Sequence, residues 1–166
     1  MSRLSDAQEK FLADKEKNIH CLTMPREIFL KGDKIFQKPV REMYKMIGEK
    51  ITENEIPRSF YCKIAKNFSE NFYMNIGDEM KIIWHEKVFE FMRKDFSGMW
   101  EEKICEVEKL FELEIWSDNS SVEIFLNGGE FVLSARTFFE KNFEIICAED
   151  LEIFKINAEN FIEEEI

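Results

Sequence analysis

Asn127-Gly128-Gly129 stands between an alternating apolar run, 122–126, and the apolar Phe131-Val132-Leu133. Asn and Gly tolerate positive φ at low cost, so this tripeptide is the strongest local hairpin signal in the chain. It commits the flanking runs to antiparallel strands. Upstream, Phe111, Leu113 and Ile115 alternate with Glu112, Glu114 and Trp116, the period of a half-buried strand. Asp118-Asn119-Ser120-Ser121 is the turn that returns the chain to the hairpin. Residues 143–147 and 151–156 form a further expected strand pair around Ala148-Glu149-Asp150, and 157–165 a short capped helix.

Before residue 110 the period is different. Ser5 with Gln8 three positions later resembles a capping box and opens a first expected helix. Residues 23–30 form a short element, helix or strand, that Gly32 ends. Pro39 opens a helix with Val40, Met43, Tyr44, Ile47 and Ile51 on one stripe. Pro57 opens another with Tyr61, Ile64, Ala65, Phe68 and Phe72. Residues 78–96 carry the strongest helical pattern, with Met80, Ile83, Trp84, Val88, Phe91 and Met92 on one face and Ile82 and Phe89 beside it. Trp100, Ile104 and Val107 suggest one more short helix. The expected fold is therefore α+β in a single domain: 1–109 mainly helical, followed over 110–166 by an antiparallel β-meander of about four or five strands. With 166 residues, 45% of them hydrophobic and seventeen Phe, the chain has ample apolar surface for one core.

The 34 acidic and 23 basic side chains are unevenly placed. Residues 1–100 carry +2 and residues 101–166 carry −13. A field of that sign repels nucleic-acid phosphates and anionic lipid and steers basic protein surfaces inward. The start of the chain lacks the apolar stretch of a secretory leader, and no apolar run reaches the length of a membrane helix. Cys21, Cys62, Cys105 and Cys147 lie 41, 43 and 42 residues apart, but their flanks do not align as repeats. A reduced, cytoplasmic protein is expected.

Motifs for chemistry are weak. Two His and no C-x₂-C or H-x₃-H pair argue against a metal centre, and no cofactor is expected. Cys62 or Cys21 with His85 could supply a nucleophile and base, though His85 also fits as a structural residue beside Ile82 and Phe89. Asp95 with Glu101 and Lys103 superficially fits a nuclease set, yet residues two apart on a helix diverge. Lys31-Gly32-Asp33-Lys34 lacks the glycine spacing of a phosphate loop.

The expected meander puts Phe111, Leu113, Ile115, Val122, Ile124 and Leu126 on its core face. Glu112, Glu114, Trp116, Glu123, Phe125, Glu144, Glu152 and Phe154 then lie opposite, with Ile146 among them. A face mixing carboxylates with aromatics suits a basic partner, such as a nucleic-acid-binding protein, with the carboxylates sitting where its phosphates would. The leading expectation is thus a small acidic binding or inhibitory module. The alternatives are an enzyme with a pocket between helices and sheet, and an assembly subunit joined through 78–96.

Overall fold

A computed structural model describes residues 22–51, 56–68, 71–95, 97–137, 143–147, 149 and 151–157. Among them are thirteen strands and one 3₁₀ helix. A hairpin, β1 (Arg26–Lys31) with β2 (Lys34–Pro39), leads into the 3₁₀ helix η1 (Arg41–Met46) and then β3 (Ile47–Lys50). There follow β4 (Phe60–Ala65), β5 (Asn71–Ile76), β6 (Met80–His85), β7 (Val88–Lys94) and β8 (Trp100–Glu106). The chain continues through β9 (Glu112–Asp118), β10 (Ser121–Leu126), β11 (Phe131–Arg136), β12 (Ile145–Cys147) and β13 (Glu152–Ile156).

Two antiparallel sheets form the body, one of six strands in the order β11-β10-β9-β4-β13-β3 and one of five in the order β12-β5-β6-β7-β8. Cross-strand rows show how they meet. In the six-stranded sheet Leu133, Ile124, Ile115, Cys62 and Ile153 stand side by side. In the other, Phe72, Trp84, Phe89 and Cys105 make one row and Cys147, Met74, Ile82 and Phe91 the next. Both sets belong to one apolar cluster, so the sheets are stacked as a sandwich around it. Phe60, Phe72, Phe89 and Phe91 are fully buried there, and truncating any one to Ala is worth about 3–5 kcal/mol. The Trp84 indole N–H would be stranded in this core, but it donates to the carbonyl of Val107 at 3.0 Å.

The helices expected from Pro57, over 78–96 and around Trp100–Val107 are strands in the described residues. A spacing of four puts residues on one face of either element, so Tyr61/Ala65 and Trp100/Ile104 never distinguished the two. At 78–96 the cause is a turn. Met80, Ile82 and Trp84 point inward, as do Phe89 and Phe91, and the five-residue step from Trp84 to Phe89 inverts the parity of the alternation. A template of threes and fours absorbs that step. The turn, Glu86-Lys87 between paired His85 and Val88, has both central residues at positive φ, 49° and 68°. That is the two-residue hairpin geometry usually announced by Asn-Gly. Around Pro39 the chain makes η1 and then β3, and Pro25 and Pro39 mark strand margins, where a missing N–H costs little. The element at 23–30 becomes β1. The helix expected from Ser5 lies outside the described residues, as does the body of the one expected over 157–165.

In the C-terminal third the alternation was read correctly: β9, β10 and β11 pair in sequence, with Asn127, Gly128 and Gly129 all at positive φ. The second strand pair did not form. β12 joins β5 in the five-stranded sheet, while β13 inserts between β4 and β3 in the other. The meander reading had assumed that neighbours in sequence pair.

Hairpin β1–β2 touches the sandwich where Gln37 N–H donates to Gly129 C=O at 2.9 Å. A Cβ on Gly129 would lie 1.9 Å from the Gln37 carbonyl oxygen, so only glycine permits this approach. Relieving the Glu86-Lys87 strain is a direct test of the fold. Lys87→Gly is expected to stabilise the protein by about 1 kcal/mol, read as a higher urea midpoint with unchanged slope.

Candidate functional site

The outer face of the six-stranded sheet carries a second, smaller aromatic cluster of Tyr61, Trp116 and Phe125. Alternation along β9 and β10 places Glu114 beside Trp116 and Glu123 beside Phe125 on this face, and register brings Phe154 against Tyr61 and Glu152 against Lys63. Six of the residues singled out from sequence, Glu112, Glu114, Trp116, Glu123, Phe125 and Phe154, do converge. Glu152 joins them at an exposed position, paired with Lys50 at 2.7 Å. Glu144 does not, since it lies exposed beside β12 in the other sheet.

The face is covered. Tyr44 and Met43 of η1 pack over it, and the Tyr44 ring meets Trp116 edge-on at 5.5 Å and Tyr61 at 6.4 Å. Glu114 is 3% exposed and Glu123 5%. Each is held by built-in partners. The Trp116 indole N–H donates to Glu114 Oε1 at 2.7 Å, the Tyr44 hydroxyl donates to the same carboxylate, and Lys63 Nζ stands 3.7 Å from Oε2 and 3.0 Å from Glu112 Oε2. At Glu123, Oε2 pairs with the Arg26 guanidinium and accepts from Ser134 Oγ at 3.2 Å, while Oε1 accepts from Met24 N–H at 3.0 Å. Arg26 also reaches Gln37 Oε1 at 3.1 Å and lies 5.4 Å over the Phe125 ring. Burial, with the Glu114 carboxylate next in importance, raises the Tyr44 and Tyr61 phenols above their ordinary pKa.

Sequence reasoning missed Arg26, Tyr44, Tyr61 and Lys63. The run Phe60-Tyr61-Cys62, apolar at every position, was the available signal for a strand buried on both faces. Arg26 gave none, because its partner is 97 residues away.

The other chemical candidates are dispersed. Cys62 is fully buried between the sheets, where desolvation, then Cys147, then Glu114 push its thiol up, the opposite of an activated nucleophile. His85 lies on the outer side of the opposite sheet, more than half exposed and 4.0 Å from Glu86. Asp95 accepts from the Ser97 and Met99 amides of its own turn, and Glu101 pairs with Arg93. Among the described residues no group of three His, Cys, Asp or Glu is placed to hold a metal ion, and no helix is long and apolar enough to cross a membrane.

Comparison with known proteins supplies what this geometry does not. The sequence profile described as "Glycosyl hydrolases family 32 C terminal" matches residues 77–159, half of the chain. The sucrose-6-phosphate hydrolase of Bacillus subtilis is 33% identical over 147 aligned positions, taking in 78% of this chain and 31% of that protein. The raffinose invertase of Escherichia coli is 24% identical over 145, 71% of this chain and 29% of that one. Among solved structures, a glycoside hydrolase family 32 protein from Bifidobacterium adolescentis superposes with a TM-score of 0.65 at 18% identity, over 81% of this chain and 25% of its own. The sucrose-6-phosphate hydrolase of Lactobacillus gasseri does so at 0.62 and 15%, over 80% and 33%. The chain spans about a third of the length of the curated relatives it matches. These matches overturn the acidic inhibitory module expected from the charge, and the superpositions agree with the sandwich rather than with an α+β fold.

Two outcomes check the covered face. Arg26→Met strands the Glu123 carboxylate in a site shut off from water and is expected to cost about 3 kcal/mol in urea unfolding, much of which Glu123→Leu in the same chain recovers. Above about pH 10 the unfolded chain sheds phenolic protons that folded Tyr44 and Tyr61 keep, so stability falls as pH rises through that range. Tyr44→Phe is expected to make that fall shallower.

Proposed function

The chain belongs to the C-terminal family of the family 32 glycosyl hydrolases, and from that premise we propose that it is the β-sandwich module of a sugar-cleaving enzyme of the sucrose-6-phosphate hydrolase kind. In this role it supports the cleavage without performing it. The observation that carries the reading is the state of its inner carboxylates. Hydrolysis of a glycosidic bond needs two carboxyl groups flanking an accessible oxygen. Glu112 and Glu114 share Lys63, but Glu114 is sealed beneath Tyr44 and Trp116, and Glu123 is spent on Arg26. The bond-breaking pair is assigned to the portion of such enzymes that these 166 residues do not align with.

The hairpin supplies the contact with that portion. Ile28, Leu30 and Ile35 share one face of β1–β2 and are 71%, 74% and 60% exposed. A two-stranded hairpin with so bare an apolar face is stable only when something packs on it. Free thiols at Cys62 and Cys105 are in keeping with a reducing, cytoplasmic setting.

The test is complementation. A Bacillus subtilis sucrose-6-phosphate hydrolase lacking the part this chain matches is mixed with the chain and assayed on sucrose 6-phosphate. We expect no hydrolysis by the chain alone, restored hydrolysis by the mixture, and loss of restoration with Ile28→Asp/Leu30→Asp although the sandwich still folds. Hydrolysis by the isolated chain, or no restoration, contradicts the supporting role.

A further inference from the structure

Residues 22–25 run across the end of the six-stranded sheet like a strap, and between the strap, η1 and the sheet lies a groove of ≈ 470 Å³. That volume suits a small ligand. Its lining mixes two kinds of residue. Met24, Met43, Met46, Ile156 and Trp116 are apolar or aromatic. Ser59, just before β4, and Asp118, Asn119 and Ser121, at the β9–β10 turn, are polar.

The polar residues are pre-arranged. Asp118 Oδ1 accepts from Ser59 Oγ at 2.9 Å and from the Asn119 N–H at 2.7 Å, which fixes the plane of the carboxylate at the rim. Among the lining residues there is no Lys, Arg or His, and Asp118 adds an exposed carboxylate, Glu123 being already paired with Arg26. An anionic ligand would be repelled, and a phosphate would find no cation to pair with. A purely apolar ligand would make no use of the exposed Asp118 carboxylate and the Ser and Asn groups beside it.

What matches is a neutral ring with hydroxyls on one side and C–H groups on the other. We propose that this groove binds a neutral mono- or disaccharide unit, its hydroxyls donating to Asp118 and exchanging hydrogen bonds with Asn119 and Ser121, its C–H face against the methionines. The choice of a sugar among neutral hydroxylated ligands rests on the family reading; the groove and its charge do not. In this reading the module holds a sugar unit in addition to supporting the catalytic portion.

The test is a titration of the ¹⁵N-labelled chain with sucrose and with fructose, followed by amide NMR. We expect saturable millimolar shifts confined to the amides of residues 116–121 and the Trp116 indole. Asp118→Asn should weaken them about ten-fold or more. Ser121→Trp, which fills the groove from its rim, should abolish them, and the exposed Glu152→Gln should leave them unchanged. Sucrose 6-phosphate should bind more weakly than sucrose. No saturable shift with either neutral sugar, shifts mapping elsewhere, or tighter binding of the phosphorylated sugar would overturn the proposal. Complementation read in parallel separates the two ideas: restoration of hydrolysis without sugar shifts removes the groove and leaves the family role standing, and shifts without restoration do the reverse.

Discussion

The charge of Glu123 governs the outer half of this structure. A carboxylate on a sheet face that is 5% exposed is costly unless donors replace the water it lost. Two of those donors, the Arg26 guanidinium and the Met24 amide, come from 97 and 99 residues away, and the Ser134 hydroxyl comes from the adjacent strand. Once they are in place, β1 is tied to β10 and β11, and the strap and hairpin must lie across the sheet. Glu114 does the same for η1 through Tyr44. Two buried carboxylates thus turn a sheet that would otherwise show one wet face into one covered on both sides. They contribute less to net stability than to deciding what lies where, since an apolar replacement of a buried pair is often as stable.

That double covering is also why the first half of the chain resisted reading. β9 and β10 are buried on both faces too, but they stayed legible because Glu112, Glu114 and Glu123 put polar residues at one parity. In β4, Phe60 and Cys62 face the sandwich core while Tyr61 faces the outer cluster, so the alternation disappears into a continuous apolar run. In β6 and β7 it survives but is phase-shifted by a turn made of Glu86 and Lys87, residues that carry no turn signature. Many β-branched and aromatic residues, Ile82-Ile83-Trp84 and Val88-Phe89 among them, did favour strands over the helix inferred from spacing. The turn at Asn127 was readable because its chemistry is local. The place of β12 and β13 was not, because their partners lie at Met74–Ile76 and at β3 and β4.

The set of residues on the candidate face was legible to the extent that pleating is local. Trp116, Phe125, Glu114 and Glu123 could be placed together from period alone. Whether the face was open depended on Arg26 and Tyr44, which nothing near them in sequence ties to that face. The sign of a segment's charge therefore gave a poor guide to its role: two of the acidic residues counted in the −13 third serve inside the fold.

Other members of that third serve at its boundary. β8 ends the five-stranded sheet, and five of its first six residues are largely exposed, with Trp100 and Ile104 offering apolar surface to any strand that arrived alongside. Glu101, Glu102 and Glu106 are interspersed along the same seven residues, with only Lys103 of opposite sign. A second copy approaching edge to edge would bring three carboxylates from each strand into one seam. The acidity that suggests a chain seeking a partner works here as a fence, keeping an unfinished sheet from being extended by its own kind.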